Sequence, residues 1–153
     1  YDQTWAASST PGSVSSYGWL EKHIQRLLKE VAPEKLVLGL PFYTRVWTET
    51  DGRLSSRVLT MKNTAELLSG HPRVVPVWLT NERQYYAHWE ENGTMKYLWM
   101  EDNRSLNEKI SLARIYHLGG TAYWRCGFEP DGIWNRLGDT LESLADRNNR
   151  ETV

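Results

Sequence analysis

The sequence predicts a parallel α/β fold, and three observations carry that reading. Leu36 to Leu40 is an apolar run of strand length, directly after a helical pattern and between two breakers, Pro33 and Pro41. A run apolar on both faces in that setting reads as a buried strand of a parallel sheet. Gly119-Gly-Thr-Ala-Tyr-Trp-Arg-Cys126 is a second such run, and a second helical pattern precedes it. The resulting order of helix, strand, helix, strand, helix is that of a parallel sheet with helical crossovers.

Taken in order, Tyr1-Asp2-Gln3 reads as the tail of a strand, and the Ser-, Thr-, Pro- and Gly-rich residues 4–16 read as a loop. Leu20, Ile24, Leu27, Leu28 and Val31 then form one stripe of a helix over 17–31, with Ser15 or Ser16 as its cap. Pro41 ends ladder pairing in the next strand, because it has no N–H to donate. Phe42, Tyr43, Arg45 and Trp47 follow at the carboxyl end, where parallel α/β folds bind ligands. The same cluster could equally plug a barrel mouth.

The stretch from Trp47 to Ser105 is far longer than the roughly two to six residues a strand-to-helix loop needs. It predicts a short helix over 61–68 stopped by Gly70, and an edge strand over 74–79 that contains Pro76. Strands over 84–90 and 94–100 follow, joined at Glu91-Asn92-Gly93, because Asn-Gly between alternating aromatic flanks marks a hairpin. Ser105 with Glu108 reads as the capping box of the next helix, whose face carries Leu106, Ile110, Ala113 and Tyr116. Ile133, Leu137, Leu141 and Leu144 align on a last helix over 131–146, and residues 148–153 read as a frayed tail.

The 153 residues suffice for one domain with a core. A net charge of −1 and the lack of a basic run argue against nucleic acid. No apolar stretch reaches membrane-spanning length, and no signal-peptide pattern opens the sequence. Tyr1, not Met, stands first, which implies an N-terminus made by processing, cleavage or design. Cys126 is the single cysteine, so no internal disulfide forms and the compartment stays open. Histidines 23, 71, 88 and 117 lack metal-ligand spacing, so neither a metal nor a cofactor is expected. No phosphate-binding glycine loop or nucleophile elbow occurs. Asn92-Gly-Thr94 and Asn103-Arg-Ser105 read as a turn and a helix start, ahead of glycosylation sites. Eight Trp and eight Tyr stand against two Phe, a bias toward flat faces with a hydrogen-bonding edge, suited to sugars or bases. A Trp-rich core would show the same composition.

Tyr1-Asp2, Gly39-Leu-Pro-Phe-Tyr-Thr-Arg-Val-Trp47 and Gly119-Gly-Thr-Ala-Tyr-Trp124 together resemble the last three strands of glycoside hydrolase family 18. That family includes chitinases, chitinase-like lectins and bacterial enzymes acting on peptidoglycan, spore cortex included. The helical spacing, the insertion between the last two strands and Trp99-Met-Glu-Asp-Asn-Arg-Ser105 match as well. The resemblance implies the C-terminal part of an eight-stranded (β/α) barrel, residues 1–49 and 101–147, with an α+β insertion over 50–100. It implies that Tyr1 bonds the substrate's acetamido carbonyl and that Asp2, beside it, contacts the sugar before the scissile bond. Trp124 would floor that sugar, and Tyr43 and Arg45 would line the pocket wall. The family reaction is substrate-assisted, the acetamido oxygen attacking the anomeric carbon, so no protein carboxylate serves as nucleophile.

One departure stands out. Nothing in the sequence matches the acidic motif DxxDxDxE, which supplies the family's general acid; Glu101 and Asp102, ahead of a helix inside the insertion, are poor substitutes. The expected function is therefore part of a glycosidase acting on β-1,4-linked N-acetylglucosamine polymers, chitin or peptidoglycan, with this chain inactive alone. A non-catalytic chitinase-like carbohydrate-binding or scaffold protein is the alternative, and a free-standing interaction module a third. Expected partners are an N-acetylglucosamine-containing polysaccharide and either the missing first half of the barrel or a second copy. The family resemblance implies a secreted, cell-envelope or spore-associated location.

Overall fold

A computed structural model describes residues 1–137 and contains two sheets. The smaller is a parallel pair, β1 (Val37–Pro41) and β7 (Gly120–Trp124), paired from Val37 with Gly120 to Pro41 with Trp124. The larger is an antiparallel sheet of β2 (Tyr43–Thr50), β3 (Arg53–Thr60), β4 (Val77–Leu79), β5 (Gln84–Glu91) and β6 (Thr94–Met100), in the order β3-β2-β6-β5-β4. Helices α1 (Tyr17–Leu27) and α3 (Asn103–Ile115) accompany the parallel pair, and α2 (Met61–Ser69) accompanies the larger sheet. Residues 133–137 are helical, with Ile133 and Leu137 buried. The remainder of the expected last helix, with Leu141 and Leu144, and the expected tail lie outside the described residues. The chain is thus a mixed α/β fold.

Each sheet has its own core. Leu20 and Ile24 of α1, Leu38 and Leu40 of β1, and Leu106, Ile110 and Leu112 of α3 bury together with Phe42. Val46, Leu59, Ala87, Trp89 and Leu98 form the second core, onto which Leu67 and Leu68 of α2 pack. Phe42 joins the two bodies. Its N–H donates to the Trp124 carbonyl at 2.7 Å, its carbonyl accepts from Met61 at 3.0 Å, and its ring stacks on Tyr123.

Several local expectations are corrected. Pro41 does not end pairing. Phe42 donates toward β7, and N–H groups alternate sides along a parallel strand, so the missing donor of Pro41 faces the open edge and costs no ladder bond. Val37 is 60% exposed, so among the described residues β1 is not covered on both faces. Helix α1 stops at Leu27 rather than Val31, where bonds from Lys29 to Arg26 and Glu30 to Leu27 tighten the chain ahead of Pro33. Ser16 is its N-cap, yet its side chain makes no cap bond. Asp102, not Ser105, caps α3, and the box is reciprocal between Asp102 and Ser105. Glu108 instead pairs with Arg83. Tyr1 to Gln3 form no strand, and Asp2 takes a left-handed φ of 71°.

The Asn92-Gly93 hairpin forms as expected, with φ of 52° and 73° at its two turn residues. The β2–β3 hairpin, turning at Asp51 and Gly52 with φ of 49° and 72°, was not anticipated. The larger sheet therefore takes in β2 from Tyr43 onward.

Candidate functional site

A groove of about 500 Å³ lies at the carboxyl ends of β1 and β7. The loop before α1 contributes Asp2 and Trp5 to it, and the β2–β3 hairpin contributes Tyr43, Arg45 and Val58. Trp124 ends β7, and Arg125 and Phe128 complete the lining just beyond it.

Four of the five residues expected at the site thus meet: Asp2, Tyr43, Arg45 and Trp124. The Tyr43 hydroxyl donates to Asp2 Oδ1 at 2.6 Å. Burial, and after it that bond to Asp2, hold the Tyr43 hydroxyl far above the ordinary tyrosine pKa, so it remains a donor. Arg45 reaches along its strand pair to donate to Ser56 Oγ at 2.9 Å. Trp124 is 55% exposed, its indole presented rather than packed away.

Tyr1 is placed differently. It lines a separate apolar hollow of about 260 Å³ with Trp19, Leu20, Ile24 and Leu36. Its ring meets Tyr43 edge-on at 6.2 Å, which leaves it bordering the groove without lining it. Gly39 makes that position possible, because a Cβ there would stand 3.1 Å from the Tyr1 ring. Burial raises the Tyr1 hydroxyl pKa, with the Asp2 charge adding to it.

The loop that carries Asp2 and Trp5 is stitched to itself and to the sheet. Gln3 N–H donates to Val14 O at 2.7 Å, and Thr4 Oγ1 donates to Ser13 O at 2.8 Å. Fully buried Trp47 donates its indole N–H to Gly12 O at 2.9 Å. Ser13 Oγ donates to Gln84 Oε1 at 2.5 Å, Gln84 Nε2 donates to Glu101 Oε1 at 2.7 Å, and Ser105 Oγ donates to Glu101 Oε2 at 2.8 Å. Lys109 closes the network as an ion pair with Glu101, both side chains fully buried. Burial pushes the Glu101 carboxyl up and the Lys109 ammonium down, and their attraction opposes both shifts. Glu101 is thus enclosed away from the groove, a partner in structure.

Sequence reasoning missed Trp5, Val58, Arg125 and Phe128 as lining residues. A tryptophan in a Ser- and Thr-rich loop had no apolar pattern to serve, and that was its available signal; it is 57% exposed. Arg125 had one in following Trp124 directly. Val58 had none, because it enters through the unanticipated hairpin.

A model of glycosyl hydrolases family 18 matches residues 5–129. The chain belongs to that family. The matched span takes in Tyr43, Arg45 and Trp124 and begins beyond Tyr1 and Asp2. Among curated relatives, a cortical fragment-lytic enzyme of Bacillus cereus is 24% identical over 139 residues, 90% of this chain and 32% of that protein. A chitinase from Chromobacterium violaceum superposes with a TM-score of 0.78 at 25% identity, covering 92% of this chain and 43% of that one. The spore cortex-lytic enzyme SleL of Bacillus cereus superposes with a TM-score of 0.79 at 23% identity, over 92% of this chain and 33% of that one. The chain spans about a third of the length of the curated relatives it matches.

Proposed function

We propose that this chain is the C-terminal part of a (β/α)8 catalytic domain that hydrolyses β-1,4-linked N-acetylglucosamine polymers by a substrate-assisted, retaining reaction. On this reading, β1 and β7 are the last two barrel strands, residues up to 49 and from 101 onward flank them in the barrel, and 50–100 form the insertion, whose sheet reaches back along β2 to Tyr43. One observation carries the proposal: in a chain of this family, an exposed Trp124 at a strand's carboxyl end faces a bonded Asp2–Tyr43 pair across a groove open to solvent.

The chemistry assigns roles to these groups. The Trp124 face stacks on a pyranose through its axial C–H groups and fixes the ring. The acetamido oxygen of that sugar attacks its own anomeric carbon as the glycosidic bond breaks, and water later opens the cyclic intermediate. Tyr1, at the border of the groove and with a hydroxyl that has no hydrogen-bond partner among the described residues, is assigned to hold the attacking oxygen in line on the family resemblance alone. Asp2, already accepting from Tyr43, contacts the same sugar. The leaving oxygen needs a proton, and no residue here matches the family's acid, so that proton comes from chain outside these 153 residues. Relatives named for spore cortex support a cell-envelope or spore setting. No helix among the described residues is long and apolar enough to cross a membrane.

The test is hydrolysis of chitin oligosaccharides and of purified peptidoglycan by the 153-residue chain, the full-length polypeptide and its Trp124→Ala variant. The chain alone gives no turnover, because general acid help is typically about 10²–10⁴-fold. Trp124→Ala lowers both binding and turnover of the full-length protein. Robust turnover by the chain, or an unaffected Trp124→Ala protein, overturns the proposal. Binding by the full-length protein without turnover marks it as a carbohydrate-binding protein.

A further inference from the structure

Charge in the groove is unbalanced. Arg45 and Arg125 both line it, against a single carboxylate, Asp2. That carboxylate already accepts the Tyr43 hydroxyl. Arg45 donates to a neutral oxygen, Ser56 Oγ, and Arg125 lies over the Phe128 ring with its guanidinium carbon 4.6 Å from the centroid. Neither is in an ion pair; the pairs among the described residues are His71–Glu91, Arg83–Glu108 and Lys109–Glu101. Glu129, the carboxylate nearest Arg125 in sequence, is turned to the Gly127 N–H at 2.6 Å and the Trp134 indole at 3.4 Å. Arg125 is exposed and follows Trp124 directly, so its free guanidinium stands beside the indole proposed to carry a sugar. A planar fork of donors held on an aromatic face is suited to a carboxylate.

We infer that Arg125, with Arg45 adding charge, recognises a carboxylate borne by the sugar next to the one on Trp124. This inference rests on the sugar-binding reading above. A β-1,4 polymer of N-acetylglucosamine itself carries no such group. The polymer in which alternate sugars carry a lactyl ether, N-acetylmuramic acid, does. Arg125 is then a specificity residue that favours a peptidoglycan-type glycan with free lactyl carboxylates over chitin.

The experiment is calorimetric titration of the full-length polypeptide that carries this chain, and of its Arg125→Gln and Arg125→Lys variants, with three probes. They are a tetrasaccharide alternating N-acetylglucosamine and N-acetylmuramic acid, the same tetrasaccharide with its carboxyls converted to carboxamides, and chitotetraose. The unmodified protein binds the acidic glycan at least about tenfold more tightly than its carboxamide, as a charge-assisted bond requires. Raising the salt narrows that ratio. Arg125→Gln brings it close to one, and Arg125→Lys keeps part of it. Equal binding of the acidic and neutral tetrasaccharides, or a ratio unchanged in Arg125→Gln, overturns the inference and leaves the sugar-binding reading standing. Failure to bind any of the three overturns both.

Discussion

Asp2 and Tyr43 stand forty-one positions apart and meet through one short bond, which fixes a carboxylate at the edge of the groove. Tyr43→Phe removes the donor and leaves Asp2 free to swing toward solvent. Stability should fall by about 1 kcal/mol, read by urea unfolding, since a net hydrogen bond is worth roughly that. On the proposed reading, Tyr1→Phe in the full-length polypeptide acts instead on turnover. Losing a positioned donor to the attacking oxygen costs on the order of 3 kcal/mol in the transition state, a kcat effect of around a hundredfold with little change in KM. The buried Glu101–Lys109 pair is a structural matter. Lys109→Met leaves a carboxylate enclosed without its cation and should cost about 3–5 kcal/mol, while Glu101→Leu with Lys109→Met recovers much of that loss. Equal stability of single and double variants would contradict this account. At this scale the aromatic and charged residues after the strand were legible, because type and position coincide there. Glu101 was legible only as a residue near a helix start. Its cation lies eight positions on, and Gln84 and Ser13 reach it from other elements, so no local pattern announces the burial.

Among the elements, hairpins were as legible as their flanks allowed. Asn92-Gly93 sits between alternating aromatic residues, whereas Asp51-Gly52 sits between a strand read as part of the site and the polar-rich β3, whose burial alternates only weakly. The turn chemistry was the same in both, and only one had a hydrophobic period to support it. Helix α2 is fastened to the sheet at its far end by His71. The ring accepts no bond when charged: Nδ1–H donates to Leu67 O at 2.8 Å and Nε2–H to Glu91 Oε1 at 2.9 Å. The Leu67 carbonyl first, and then Glu91, raise the His71 pKa, while the His71 bond lowers that of Glu91. The histidine contribution is fully present below its ordinary value of 6.5 and is lost as pH rises through the raised folded value. The glutamate contribution is present above its ordinary value of 4.5 and is lost as pH falls through the lowered folded value. The Tm difference between the native chain and His71→Gln should therefore be widest between those two ordinary values and close on the alkaline side. A difference independent of pH would mean that the ring acts by packing alone.

For the molecule as a whole, the parallel pair is the feature with consequences for assembly. Among the described residues β1 has one partner and one open edge, Val37 is exposed, and the hollow beside it is lined by Trp19, Leu27 and Leu36. Unpaired strand edges next to apolar surface recruit other chains. The isolated 153 residues should sediment as a concentration-dependent mixture, and a single monomeric species with cooperative unfolding would count against this. The alternation of helix and strand made the α/β class legible. The open edge was not legible from β1 itself, since an apolar run reads the same with one neighbour or two. The stitching of the first loop has a mechanical meaning as well. Trp47 and Gln84, both rooted in the larger sheet, grip Gly12 and Ser13, so the loop that presents Asp2 and Trp5 is riveted to the body that presents Tyr43 and Arg45. Two jaws sharing one rivet cannot hinge against each other. The gape between that loop and that sheet is therefore preset before anything enters the groove.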